Sequence, residues 1–185
     1  MRRLRLKLLF VVIIVLGLTV TTVLPAQAAD YFISENKRTV SSPNGQQSQA
    51  WHIQVWGRGS STGCYIYGRN LMDTFRGPGY AFDYLRSVYL KNEDTGASSS
   101  GPQVNGEPPV ASRTGTIFMR GVSYDVFTVR GTAQVKWSTS ATIGGTGVNT
   151  KRVGVSCFPT TSATGKKGFR PRIDSVQPAA ANQSS

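Results

Sequence analysis

Acid, histidine and cysteine are all scarce in this chain. Nine Asp and Glu stand against 21 Lys and Arg, with one histidine and two cysteines. Each shortage excludes something. Cys64 and Cys157 have no third or fourth Cys/His ligand beside them, so a structural zinc site is not expected and no metal or cofactor is implied. Gly59 to Gly63, "GSSTG", fits the hydrolase pattern G-x-S-x-G, but that elbow needs a helix after it and a histidine further on. The sole histidine, His52, lies upstream, and "CYIYG" follows. "TGKKG" lacks the upstream glycine and the trailing Ser/Thr of a phosphate loop. Paired carboxylates for glycoside hydrolysis have few candidates. Asp83 in "AFDYL" and Asp125 in "SYDVF" are the two acids set among aromatics, where burial shifts a pKa; an arginine such as Arg86 or Arg120 is the expected partner for each.

What is abundant comes first at the N-terminus. "MRRLRLK" is a basic opening, "LLFVVIIVLGLTVTTVL" an apolar run, and Ala26 and Ala28 in "PAQAAD" form the A-x-A arrangement of a leader cleavage site. The expected organisation is a signal peptide over 1–28, a β domain over 29–160 with a long loop near 94–115, and a basic, flexible tail over 161–185. Removing the leader takes four of the 21 basic residues and leaves 17 against the same nine acids. In an exported chain, two cysteines predict one disulfide, Cys64 to Cys157.

The rest reads as strands. In "AWHIQVWGR" Trp51, Ile53 and Val55 share one parity and His52, Gln54, Trp56 and Arg58 the other, which places the two sets on opposite faces of a strand. Ala133, Val135 and Trp137 alternate with Gln134, Lys136 and Ser138, and Val153, Val155 and Cys157 share a face. Pro43-Asn44-Gly45 marks a hairpin turn. Arg120-Gly121 and Arg130-Gly131 suggest bends or bulges, and "TIGGTGVNT" a further turn. A short helix or turn is expected near Asn70 to Phe75, and a strand after it. The predicted fold is all-β, an antiparallel sandwich or open barrel of about six to seven strands held by one disulfide.

"WSTS" at Trp137 to Ser140 resembles the aromatic-Ser-Thr-Ser strand of the mono-ADP-ribosyltransferase toxins. The resemblance covers four residues and implies a catalytic glutamate downstream and an arginine on an early strand, Arg38 or Arg58. Glu107 is the last glutamate and precedes "WSTS", so that activity does not follow.

Two binding features remain. One is the strand face His52, Gln54, Trp56 and Arg58, extended by Tyr65 and Tyr67, an aromatic plane beside hydrogen-bonding groups that suits a sugar ring or a partner's loop. Its rival is a strand covered on both faces, with Trp56 in a second core. The other is the acid-free basic run Lys151, Arg152, Lys166, Lys167, Arg170 and Arg172, suited to an anionic surface through ion release. The expected function is secreted, non-enzymatic binding at the cell envelope or beyond. A cell-wall polymer, carbohydrate or another protein is the expected partner, rather than nucleic acid. The alternatives are a small secreted enzyme or toxin whose site combines Asp83, Asp125 or His52, and an inhibitor presenting the 94–115 loop.

Overall fold

The computed structural model describes residues 29–138 and 143–174, with backbone alone for 143–146. The expected leader, residues 139–142 and the chain from 175 on lie outside the described residues. The fold is all-β, with eleven strands among the described residues in two antiparallel sheets that form a sandwich.

Asp30–Ser41 (β1), Ser48–Gly59 (β2) and Gly63–Met72 (β3) form a meander in one sheet, called here sheet A. Ala81–Asn92 (β4) begins the opposite layer, sheet B. Three short strands follow: Ser98–Gly101 (β5) and Val104–Gly106 (β6) add to β4, and Val110–Arg113 (β7) returns to β3. Ile117–Arg120 (β8) also pairs with β3. Ser123–Trp137 (β9), Ile143–Thr161 (β10) and Lys167–Ile173 (β11) complete sheet B in the order β11-β10-β9-β4-β5.

The alternation read from the sequence sets the faces. Trp51, Ile53 and Val55 are buried between the sheets, opposite Leu85, Val88, Leu90, Phe127, Val129, Ala133 and Val135. Apolar side chains of this size each gain roughly 1.5–3 kcal/mol on full burial, so this single interior dominates the fold's stability. Buried amides stitch the layers. Trp51 Nε1 donates to Asn70 Oδ1 at 2.7 Å, and Asn70 Nδ2 donates across to the carbonyls of Ser87 and Thr132. At the sandwich edge Asn36 Nδ2 donates to Asn149 Oδ1, joining β1 to β10. The Cys64–Cys157 disulfide ties β3 of sheet A to β10 of sheet B across 93 residues.

Several expectations change. There are more strands than expected because β5 to β8 are short pieces, β5 and β6 largely polar, that add to the open edges of β4 and β3. The 94–115 segment is therefore not a free loop. The Asn70 to Phe75 stretch is not helical; β3 runs to Met72, and Arg76 bridges back to Ser48. Residues 161–174 are not a flexible tail, since β11 pairs with β10 from Thr161 to Val155 and is the last strand among the described residues. Phe169 and Pro171 turn inward there. A Cβ on Gly59 would lie 1.8 Å from the Phe169 carbonyl oxygen, so only glycine lets β11 cross β2 this closely. "TIGGTGVNT" belongs largely to β10. Gly121 does lie in a turn, whereas Gly131 sits mid-strand beneath Ile53 and Asn70; the bulge nearest it is across the ladder, between Leu85 and Ser87.

Candidate binding face

Three cross-strand rows cover the solvent side of sheet A. The register pairs Glu35 with Gln54 and Gln54 with Arg69, then Phe32 with Trp56 and Trp56 with Tyr67, then Asp30 with Arg58 and Arg58 with Tyr65, which meets Phe118 of β8. A bulge between Phe32 and Ser34 puts Phe32 and Glu35 on the same face despite their odd spacing.

The middle row is aromatic. Phe32 packs edge-on to Trp56 with centroids 5.4 Å apart, and Trp56 stacks with Tyr67 at 6.4 Å and 12°. The Arg113 guanidinium lies 3.4 Å over the Tyr67 ring. Tyr65 and Phe118 make a second pair at 5.1 Å. Phe32 is 51% exposed and Phe118 44%, which is a large share for rings grouped on one face.

Polar groups lock these rings. Trp56 Nε1 donates to Gln54 Oε1 at 2.9 Å, and the Tyr67 hydroxyl donates to Asp30 Oδ2 at 3.0 Å. Arg58 Nε donates to Asp30 Oδ1 at 2.8 Å and holds the Asp30 carboxyl below its usual range. Burial, and the hydrogen bond to Asp30, push the Tyr67 phenol up.

His52 and Gln54 are on this face as expected but are buried in it. Glu35 Oε2 lies 2.9 Å from His52 Nδ1 and accepts from Gln54 Nε2 at 3.2 Å; the contact with His52 lowers the Glu35 pKa. His52 Nε2 has no hydrogen-bond partner among the described residues and stands 3.9 Å from Asp73 Oδ2. Beside it a cleft of about 360 Å³ opens between β1, β2 and the segment after β3, lined by Lys37, Thr39, Gln49, Asp73, Phe75 and Arg76.

Comparisons with protein-family models, with curated proteins and with solved structures gave no match.

The other expected site residues are dispersed. Asp83 is on the inner face of sheet B, takes its hydrogen bond from Gln49 rather than from Arg86 or Arg120, and is pushed up to about 6 by burial. Arg86 donates instead to Gln134. Asp125 accepts from Asn92 at 2.9 Å. His52 is on the outer face of the opposite sheet, so these three do not meet. "GSSTG" is the β2–β3 hairpin turn, closed by Ser60 Oγ on the Gly63 carbonyl, with no helix behind it. Of the basic run, Lys166 and Lys167 lie exposed at the turn into β11, the Arg170 guanidinium sits 4.3 Å over the Tyr31 ring, and Arg172 sits 4.7 Å over Phe158.

Sequence reasoning did not select Asp30, Phe32, Glu35, Asp73, Arg113 or Phe118 for this face. The bulge hides Phe32, and Arg113 and Phe118 sit on four-residue strands too short for their alternation to stand out. The usable hint was "DYF" itself, an acid and two aromatics opening the chain's first strand.

Proposed function

We propose that the protein is a secreted, non-enzymatic binding module that acts at or beyond the cell envelope and takes carbohydrate on the outer face of sheet A. The observation that carries this reading is the row Phe32–Trp56–Tyr67, whose polar atoms are tied down internally while Phe32 and the neighbouring Phe118 stay open to solvent. A ring held rigid beforehand loses little entropy on stacking against a sugar's apolar face. Arg58, Arg113 and Asp30 at the rim supply donors and an acceptor for hydroxyl groups. Export is supported by the leader-like N-terminus and by the disulfide, which suits an oxidising compartment. No helix among the described residues is long and apolar enough to cross a membrane.

The test is a pull-down of the oxidised protein on isolated cell envelopes and insoluble neutral polysaccharides, with Phe32→Ala and Trp56→Ala beside the parent chain. Loss of one anchoring ring is expected to weaken binding about tenfold. Phe32→Ala is the cleaner variant because half of that ring is already in water. Retained binding in both variants, or a collapse of thermal stability in Phe32→Ala, overturns the reading in favour of a purely structural row.

A further inference from the structure

The solvent side of sheet B has a different character. Inward positions of β9 and β10 are mostly apolar and buried, Asp125 and Asn149 excepted, and outward positions are read from the register. Arg130 stands opposite Tyr89 on one side and Thr150 on the other; Lys136 stands opposite Phe82; Arg152 stands opposite Thr128; and Arg172 of β11 stands opposite Ser156. Arg86 emerges at the bulge in β4. Lys136, Arg130, Arg152, Arg172 and Arg86 are all exposed.

No acid occupies an outward position on β4, β9, β10 or β11. Asp83 and Asp125, the two acids within these strands, follow the inward parity of Leu85 and Phe127. Glu93, just past β4, is bound by Lys91 at 2.7 Å, and Asp174, just past β11, accepts from Ser156 Oγ. Arg152 also acts on the Glu93 carboxyl, and Asp174 meets the outward Ser156, so two acids border this surface against Arg86, Lys91, Arg130, Lys136, Arg152 and Arg172, and it stays cationic. Tyr89 and Tyr124, 37% and 45% exposed, lie among the cations.

Outward residues on one strand are about 6.8 Å apart and neighbouring strands about 4.8 Å apart. Lys136, Arg130, Arg152 and Arg172 thus make a diagonal stripe of roughly 40 Å across β9, β10 and β11. A stripe this long, on a sheet rather than in a pocket, matches an extended chain with repeated charges and not a small anion.

We propose that this stripe docks a linear polyanion, a sugar-based polymer carrying repeated phosphate or carboxylate groups. Its cations displace the polymer's counterions, and its tyrosines lie along the sugar backbone. The disulfide fits an oxidising compartment, where the common polyanions are glycopolymers. The stripe lies on the opposite sheet from the aromatic row, so the two readings stand or fall separately.

The test measures binding to an immobilised phosphorylated linear glucan, a linear polyuronate, a neutral glucan and a poly(dT) oligonucleotide, between 50 and 200 mM NaCl. Four engaged cations predict a loss of about 50-fold across that salt range. The triple variant Lys136→Gln, Arg130→Gln, Arg152→Gln is expected to lose at least tenfold at low salt. Lys166→Gln, Lys167→Gln, Arg120→Gln, with the same change in net charge, is expected to stay within about twofold. Retention on the phosphate polymer, the uronate or both supports the proposal and names the anionic group. Three results overturn it: binding to neither, equal loss in the charge-matched variant, or tighter binding to poly(dT) than to both glycopolymers.

Discussion

Two buried side chains share one missing proton. Gln49 Nε2 donates to Asp83 Oδ1, while Gln49 Oε1 and Asp83 Oδ2 have no partner among the described residues. A proton on Asp83 Oδ2 converts the carboxylate from acceptor to donor, and burial already raises its pKa to about 6. Because the folded value lies above the ordinary 3.8, the stabilisation is complete below about pH 4 and is lost as pH rises through 6. The span corresponds to roughly 3 kcal/mol. Melting temperature is therefore expected to rise between pH 7.5 and pH 5, and Asp83→Asn is expected to remove that rise. The same substitution raises stability at pH 7.5, since an amide there donates without needing the proton. A pH-independent difference between the two chains would refute this account. Glu35 and Asp30 work in the opposite sense: their lowered values add stability above the ordinary carboxylate range and withdraw it in stronger acid. Val122 is a second residue-scale case. It holds φ at 58° in the β8–β9 turn with 76% of its surface exposed. Val122→Gly relieves a strain of about 1 kcal/mol and is expected to lift the melting temperature by about 2–4 °C.

Among the elements, β11 and β9 carry the sharpest expectations. Pro171 faces inward on β11, where an edge strand tolerates a residue with no N–H, and its ring lies against Gly57. A chain ending at Thr160 uncovers the edge of β10 and the groove that Phe169 and Pro171 fill. Thermal denaturation should show a fall of about 10 °C or more, with self-association through the bared edge. Had residues beyond 160 been a free tail, the melting temperature would hardly move. On β9, a Cβ at Gly131 would stand 2.4 Å from Ile53 Cδ1, so Gly131→Ala is expected to cost about 1–3 kcal/mol in urea unfolding. Much of β2, β9 and β10 was legible in advance, since Trp51, Ile53 and Val55, or Val153, Val155 and Cys157, alternate within one strand and need no other part of the chain. β11 was not, because "FRPRI" mixes its inward Phe169 and Pro171 with arginines and looks polar on average. β5 to β7 were not, because strands of three or four residues have no pattern of their own.

For the whole molecule, the Cys64–Cys157 bridge is the covalent cross-link between the sheets beyond the main chain itself. Closing a loop of 93 residues constrains the unfolded chain by roughly 4–5 kcal/mol in the entropy model. Reduction, or Cys64→Ser with Cys157→Ser, is expected to lower the urea midpoint while leaving the same β-sheet circular dichroism at low urea. Unfolding without urea on reduction would instead show that the apolar interior alone does not hold the two layers. The charges are also partitioned at this scale. Asp30, Glu35 and Asp73 all belong to sheet A or its margin, and the outward side of sheet B is left cationic. The two proposed binding modes rest on these two unlike faces.

The amino-acid sequence alone determined the all-β class, the inward parity of the long strands and the pairing of the only two cysteines. Those properties depend on neighbours one or two residues away, or on there being no other thiol. Only the tertiary structure decided that Phe32 joins Trp56, that Asp83 meets Gln49 rather than Arg86, and that Arg172 lines up with Arg152 and Arg130. A bulge of one residue reverses a side chain's face, and which strand lies beside which is set by burial across the whole interior. Neither is recorded in the local spacing of residues.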